Sequence, residues 1–407
     1  MNRNSSKPYN SGSPRETERY ERWYWLDWLR VLAMGTIFLY HSGRPFVLVF
    51  PWHIMNPEPD SVFTLVNVFV TGWIMPLFFV ISGFATYFSL TKRSPVQFAR
   101  DRFRRLMIPF IFVGLLLVLP VHVYYDAVFH GRFAGSFIDF YLGPYFTKAF
   151  PFSFDFSATY FADSNQGVYL WYVFWLFVFS LITVHLFKWL TQEANRSRIS
   201  RLASLSNRRG GIFLLAIPII VVNILAVPPF FVFPSGYGGW KLPAYLALFI
   251  TAYVLASDSQ FLQSIDRNKI PALLLGTIAS VATVILFVTL APELLATPLW
   301  YVTVSTVWAL NGWCWVVAIL GFGRRLLSFN HKFLGISNEL VLPFYILHQT
   351  VIVMVAFYVV RLNLIVIEKY LIIVLISFAA ISALLLPISQ INLLRFLFGM
   401  RPKKRQR

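Results

Sequence analysis

Three residues in the first apolar stretch of the chain have side chains that could do chemistry. Trp25 to Val49 reads WLDWLRVLAMGTIFLYHSGRPFVLV, apolar enough to enter a bilayer, yet it carries Asp27, Arg30 and His41. An ionisable group in hydrocarbon is costly, and it normally faces a protein interior or a water-filled cavity. The spacing adds to this. Arg30 and His41 stand eleven residues apart, about three helical turns, so they share nearly one angular position with roughly 16 Å of rise between them. Asp27 precedes Arg30 by one turn, close to the same face. One helix would then hold a cation near one membrane surface and a base about half a bilayer deeper, both facing one cavity. Taken singly, each residue has a plainer explanation: a guanidinium snorkelling to the membrane edge, and a histidine satisfied by a neighbouring helix. Taken together on one face, they point either to general-base catalysis beside a bound substrate or to the proton or substrate relay of a secondary transporter.

Further candidates follow along the chain. In Phe98-Ala-Arg-Asp-Arg102-Phe-Arg-Arg105-Leu-Met-Ile-Pro109, Arg102 and Arg105 are three apart and share a helical face, as a clamp for a phosphate or pyrophosphate requires. The same charges would also serve to anchor topology. Ser82 and Gly83, in an apolar run, suit close helix approach or a backbone site near a ligand. Trp171 and Tyr172 open another apolar run, where interfacial aromatics are expected. Tyr345 and His348 are three apart, follow Ser337-Asn338-Glu339, and can face the cavity with His41. His348 could equally be a hydrogen-bonded packing histidine. His53 and His122, towards the opposite membrane face, read as structural or solvent-exposed. The single Cys314 excludes a disulfide framework and a Cys-rich metal site. No P-loop, GxGxxG, HExxH or serine-triad signature stands out, so nothing favours an ATPase, a zinc enzyme or a nucleic-acid binder, and no metal or bound cofactor is expected.

The elements that must position these residues are membrane helices. The chain is 57% hydrophobic, 18% aromatic and only 13% charged, with repeated apolar runs of membrane-spanning length, which describes an all-α polytopic membrane protein. Ten spans are expected: 24–49, 64–90, 106–125, 168–190, 211–230, 243–256, 270–291, 300–322, 338–360 and 368–394. Ten crossings put both termini on one side. Of the 35 Lys and Arg residues, 28 then fall on the terminal side, 6 on the other, and Arg30 is within the first span. The positive-inside rule sets both termini in the cytoplasm. The formal charge of +18 is thereby explained by topology and anionic lipid headgroups rather than nucleic acid. Residues 1–22 read as a disordered cytoplasmic tail, 23–396 as the membrane domain and 397–407 as a basic cytoplasmic tail, with no signal peptide. The longest outer segment, about 126–167, is rich in aromatics that would form an interfacial belt or stack on sugar rings.

In family order, the chain carries Asp27-Trp-Leu-Arg30, Arg30-x10-His41, Phe78-Phe79-Val-Ile-Ser82-Gly83-Phe84, Phe98-x3-Arg102-x2-Arg105-Leu-x2-Pro109, Leu170-Trp171-Tyr172, and Ser337 followed by Tyr345-x2-His348. With these residues it resembles the acyltransferase-3 family of integral membrane O-acyltransferases over nearly its whole length. Trp25-Leu-Asp-Trp-Leu-Arg30, with Arg44-Pro45-Phe46 and Trp52-His53, is similar to the branch related to glucan succinyltransferases. Trp28 departs from the small residue more usual after the first-helix Asp. The resemblance implies about ten core helices in a bacterial-type inner membrane, cytoplasmic acyl-CoA as donor, and a hydroxyl acceptor, often an extracytoplasmic glycan. It implies His41 as the catalytic histidine with Arg30 as companion, and Arg102 with Arg105 as the donor-binding pair; Asp27, one turn from Arg30, would pair with it. Tyr345 and His348, with Ser82 and Trp171, would line the substrate site. Oligomeric state is left open.

Overall fold

The computed structural model describes residues 23–48, 52–149, 170–226, 240–289 and 297–403. The expected tail 1–22 and, of the expected aromatic segment 126–167, residues 150–167 lie outside the described residues. Within the described residues every regular element is helical. A helix suits hydrocarbon because each of its backbone N–H and C=O groups finds its partner inside its own segment.

Helix α1 is Tyr24–Gly43, and α2 (Ser61–Thr71) leads across a two-residue break into α3 (Ile74–Leu90). The Asp60 carboxylate accepts from Val62 N at 2.8 Å and Phe63 N at 3.0 Å, which fixes where α2 begins. Ser94 and Gln97 form a capping box, with Pro95 in the first turn, and so start α4 (Pro95–Arg102). This helix widens into π-helical turns at Phe103–Met107 and Pro109–Val118 and continues as α5 (Leu119–Phe129). There follow α6 (Phe137–Phe140), α7 (Trp171–Ile182), α8 (Val184–Leu190), α9 (Glu193–Ser206), α10 (Ala216–Leu225), α11 (Leu242–Ser257) and α12 (Ser259–Thr289). The last four are α13 (Pro298–Leu326), α14 (Lys332–Val359), α15 (Val366–Gln390) and α16 (Asn392–Leu397).

Six helices among the described residues are long and apolar enough to cross a membrane: Ser61–Leu90, Pro95–Phe129, Ser259–Leu286, Pro298–Leu326, Lys332–Val359 and Val366–Gln390. The pair α7 and α8, bent by 51°, makes a seventh if it is one crossing. Of the ten expected spans, the first, fifth and sixth coincide with α1, Gly211–Leu225 and α11, which fall short of that measure. For α1 the reason lies in Asp27, Arg30 and His41 themselves.

The outer helices show what surrounds them. On α12, Ile270, Leu274, Ile278, Val281 and Ile285 are exposed at helical spacing, and Ile367, Leu371, Leu375 and Phe378 do the same on α15. Such stripes are costly in water and neutral against lipid tails. The interior is built around α3, whose Phe79, Val80 and Phe84 are fully buried. There α3 and α11 approach so closely that a Cβ on Gly83 would lie 2.5 Å from the Phe249 carbonyl and 2.6 Å from the Ala252 Cβ. Gly83 therefore serves close helix approach, one of its two expected roles. Gly83→Val should lower stability by about 1–3 kcal/mol through overpacking, seen as a lower unfolding midpoint in detergent. Gly35→Ala, where nothing lies within 4 Å, should leave that midpoint in place.

Candidate active site

Helix α1 is held by α3 on one side and α14 on another, and α14 completes its polar face. Arg30 Nη1 donates to Asn338 Oδ1 at 2.9 Å, and Asn338 Nδ2 donates to Asp27 Oδ1 at 2.8 Å. Arg30 and Asp27 also stand 3.7 Å apart as an ion pair. The amide of Asn338 thus offers its oxygen to the cation and its NH2 to the anion, so both charges of α1 are satisfied without being cancelled in one tight contact. On another face of α1, Leu29 seats against Gly323 of α13, where a Cβ would come within 2.9 Å of Leu29 Cδ1.

Arg30 opens onto a cavity of about 820 Å³. Its walls come from α1 (Arg30, Met34), α3 (Phe78, Ser82), the α4 segment (Arg102, Arg105), α7 (Tyr172) and α14 (Asn338, Tyr345). Seven Lys and Arg residues line it, Arg30, Lys92, Arg93, Arg102, Arg104, Arg105 and Arg401, against one carboxylate, Asp101. That carboxylate is already engaged by Arg93 Nε at 3.1 Å. Arg102 is oriented from two sides: its Nη2 donates to Thr86 Oγ1 at 2.8 Å, and its guanidinium lies 5.0 Å from the centroid of the Phe98 ring. Thr86 in turn donates to the Ser82 carbonyl at 2.8 Å, and Ser82 Oγ meets Tyr172 Oη at 2.7 Å. A chain of hydrogen bonds therefore runs along the wall from guanidinium to phenol, and each member fixes the next.

Beyond the aromatic end of the cavity a row of ring contacts leads on. The Tyr172 and Tyr345 rings meet at 5.9 Å between centroids, Tyr345 and His348 at 5.5 Å, and His348 and His41 at 5.3 Å. His348 Nδ1 is 2.6 Å from the Tyr345 carbonyl oxygen. A carbonyl can only accept, so Nδ1 carries the ring proton. His41 Nδ1 is buried without a hydrogen-bond partner among the described residues. An unsatisfied ring nitrogen beside a second imidazole is costly for packing alone and is what a base awaiting a proton requires.

Two further histidines complete this half. His53 and His122 are both buried, with rings 4.2 Å apart, and His53 Nδ1 is 3.2 Å from Asp126 Oδ1. Arg132 also binds the Asp126 carboxylate. Of the two roles open to them in the sequence, the structural one holds and solvent exposure does not. Trp52 lies between this cluster and His41, its ring stacked at 6.2 Å.

The fold thus gathers most of the expected site residues. Arg30, Ser82, Arg102, Arg105 and Tyr345 border one cavity, Asp27 is tied to Arg30 through Asn338, and His348 touches His41. His41 and His348 lie past Tyr345 and are not part of the cavity wall, so Arg30 and His41 share a helix face but not the same open space. Trp171 is turned towards Tyr245 and Phe79, at 5.5 and 6.1 Å, and its neighbour Tyr172 lines the cavity instead. Thr86 and Arg401 were not named by sequence reasoning, and Asn338 and Trp52 stood only within quoted motifs, without a role of their own. An amide within an apolar helix was the available signal for Asn338. No group of three or more His, Cys, Asp or Glu among the described residues is arranged to hold a metal ion.

A family model described as an acyltransferase domain matches residues 23–389. Glucans biosynthesis protein C of Escherichia coli strain SMS-3-5 / SECEC is 32% identical over 105 residues, which is 25% of this chain and 26% of the relative. The proteins of that name from Escherichia coli O1:K1 / APEC and O139:H28 (strain E24377A / ETEC) match to the same identity and extent. The chain thus matches about a quarter of the length of these relatives. No solved structure matches.

Proposed function

The chain belongs to the acyltransferase-3 family of membrane acyltransferases, and from that premise we propose that it carries an acyl group, acetyl or succinyl in kind, from cytoplasmic acyl-CoA to a hydroxyl of an extracytoplasmic glycan, with His41 as general base. The observation that carries this reading is the cavity: seven cations against one carboxylate at one end, two phenols at the other, and a pair of imidazoles directly behind them. A donor with phosphates at one end and a thioester at the end of a flexible arm fits that order. The name of the E. coli relatives favours a glucan as acceptor.

His41 takes the proton of the acceptor hydroxyl as the oxygen attacks the thioester carbonyl. The tetrahedral adduct collapses, the C–S bond breaks, and the CoA thiolate recovers the proton from the imidazolium. Ester and free CoA are the products. Arg30 lies roughly 16 Å along α1 from His41, too far to touch the same carbonyl, so its part is to hold the donor, with Asp27 and Asn338 as its positioning residues. Arg102 and Arg105 bind the CoA pyrophosphate. Tyr345 and His348 orient the acyl end, and Ser82 with Tyr172 shapes the wall between. The finer topology belongs to this proposal: ten crossings of a bacterial-type inner membrane, both termini and the cationic mouth in the cytoplasm, supported by the 28-to-6 asymmetry of Lys and Arg.

The test is a thiol assay on the purified protein in lipid vesicles, with succinyl-CoA and acetyl-CoA as donors and a glucan as acceptor. Acceptor-dependent release of free CoA, matched mole for mole by ester on the glucan, is the expected result. Ion-gradient-driven glucan uptake with no CoA release would overturn it.

A further inference from the structure

The geometry points to a third phosphate subsite, formed by the C-terminal strap at residues 399–402, in which Arg401 holds the 3′-phosphate of the CoA donor; this rests on the donor reading above.

The strap is a built part of the cavity. Gly399, Met400, Arg401 and Pro402 all line it. Gly399 turns the chain with φ of 73°, a conformation that side chains disfavour. Its place also requires glycine, since a Cβ there would lie 2.5 Å from the carbonyl oxygen of Arg105 and 2.9 Å from Pro109 Cγ. The turn therefore sits directly on the backbone of the segment that presents Arg105. Arg395, itself only 4% exposed, staples the strap down: Nε donates to the Arg401 carbonyl at 2.7 Å, Nη1 to the Ser389 carbonyl at 2.9 Å, and Nη2 to the Glu339 carboxylate. Met400 N closes the turn on the Arg395 carbonyl at 2.7 Å. These contacts hold the Arg401 backbone in place and leave its guanidinium exposed at the mouth, beside Arg105.

That placement sets like charges together. Arg105 shares the cavity wall with Arg401, Arg30, Arg93 and Arg102, and Asp101, the one carboxylate on that wall among the described residues, is already bonded to Arg93. Excess positive charge collected in a cavity is tolerable when it receives an anion. In acyl-CoA the order outward from the thioester is the pantetheine arm, the pyrophosphate, then the ribose 3′-phosphate. Arg102, braced by Thr86 and Phe98, is the inner member of the set, and Arg401, exposed on the strap, is the outer one. The outermost cation thus meets the outermost phosphate.

The experiment compares acyl-CoA with acyl-dephospho-CoA, which lacks only the 3′-phosphate, in thiol release and in equilibrium binding. Wild-type protein should prefer acyl-CoA by roughly tenfold, the worth of one charge-assisted hydrogen bond at an exposed rim. Arg401→Gln should lose that preference by weakening acyl-CoA alone, with turnover at saturation unchanged. Gly399→Ala, which lifts the strap while keeping Arg401, should weaken acyl-CoA as well. Equal treatment of the two donors by wild type, or an undiminished preference in Arg401→Gln, would overturn the subsite and leave the donor reading standing. Binding of neither donor by wild type would remove both.

Discussion

His41→Ala should lower turnover by about 10²–10⁴-fold, the range a positioned general base contributes, with affinity for acyl-CoA little changed. The two halves of that expectation come from different parts of the structure. Turnover falls because His41 Nδ1 is buried beside His348 without a hydrogen-bond partner among the described residues, where a base must accept a proton. Affinity persists because the wall of the cationic cavity does not include His41. Initial rates of thiol release and equilibrium binding of CoA, measured on the same preparation, separate the effects. Full turnover in the variant would sink the assignment, and a matching loss of CoA binding would assign His41 to the donor rather than to proton transfer.

The second large effect is expected at Arg102. Arg102→Ala should raise the KM for acyl-CoA by about 10–100-fold, following from the roughly 1.5–3 kcal/mol of a hydrogen bond to a charged group, with a smaller change in kcat. Arg102 is already aimed by Thr86 Oγ1 and the Phe98 ring, so little side-chain freedom remains to be lost on binding. Arg102→Lys should recover only part of the loss, since an ammonium keeps the charge but not the fork that meets two phosphate oxygens. Raising the salt concentration should weaken donor binding in wild type more than in Arg102→Ala. Steady-state kinetics at several ionic strengths check all three. An unchanged KM in Arg102→Ala would remove Arg102 from the donor site.

How far these residues could be read from the sequence depended on whether their chemistry is local. The face shared by Asp27, Arg30 and His41 follows from helix geometry alone, and so was legible. Arg102 and Arg105 were found by spacing, although the helix widens into a π turn between them. Trp171 and Tyr172 show the limit of the method. Adjacent helical residues point about 100° apart, and an interfacial signal names both without saying which one faces inward. Asn338 was out of reach for another reason: its meaning lies in Asp27 and Arg30, more than 300 residues away, and a neutral amide leaves no periodic trace. Arg401 was hidden by the charge pattern itself, because every basic residue near a terminus also fits the positive-inside rule. Gly211–Leu225 and α11 are shorter than the six long apolar helices, and α1 carries Asp27 and Arg30 within its length.

The bridge through Asn338 also governs how the molecule is made. Asn338 stands 308 residues after Arg30 and 311 after Asp27, so α1 leaves the ribosome long before its partner exists. At about 5–20 residues per second the interval is roughly 15–60 s. Through that time the growing chain holds a guanidinium and a carboxylate on α1 without the amide that later bridges them, and the cavity lacks the wall that Asn338 and Tyr345 supply until α14 emerges. A nascent chain stalled short of Asn338 would contain Arg102 and Arg105 and still lack the amide that bridges Arg30 to Asp27.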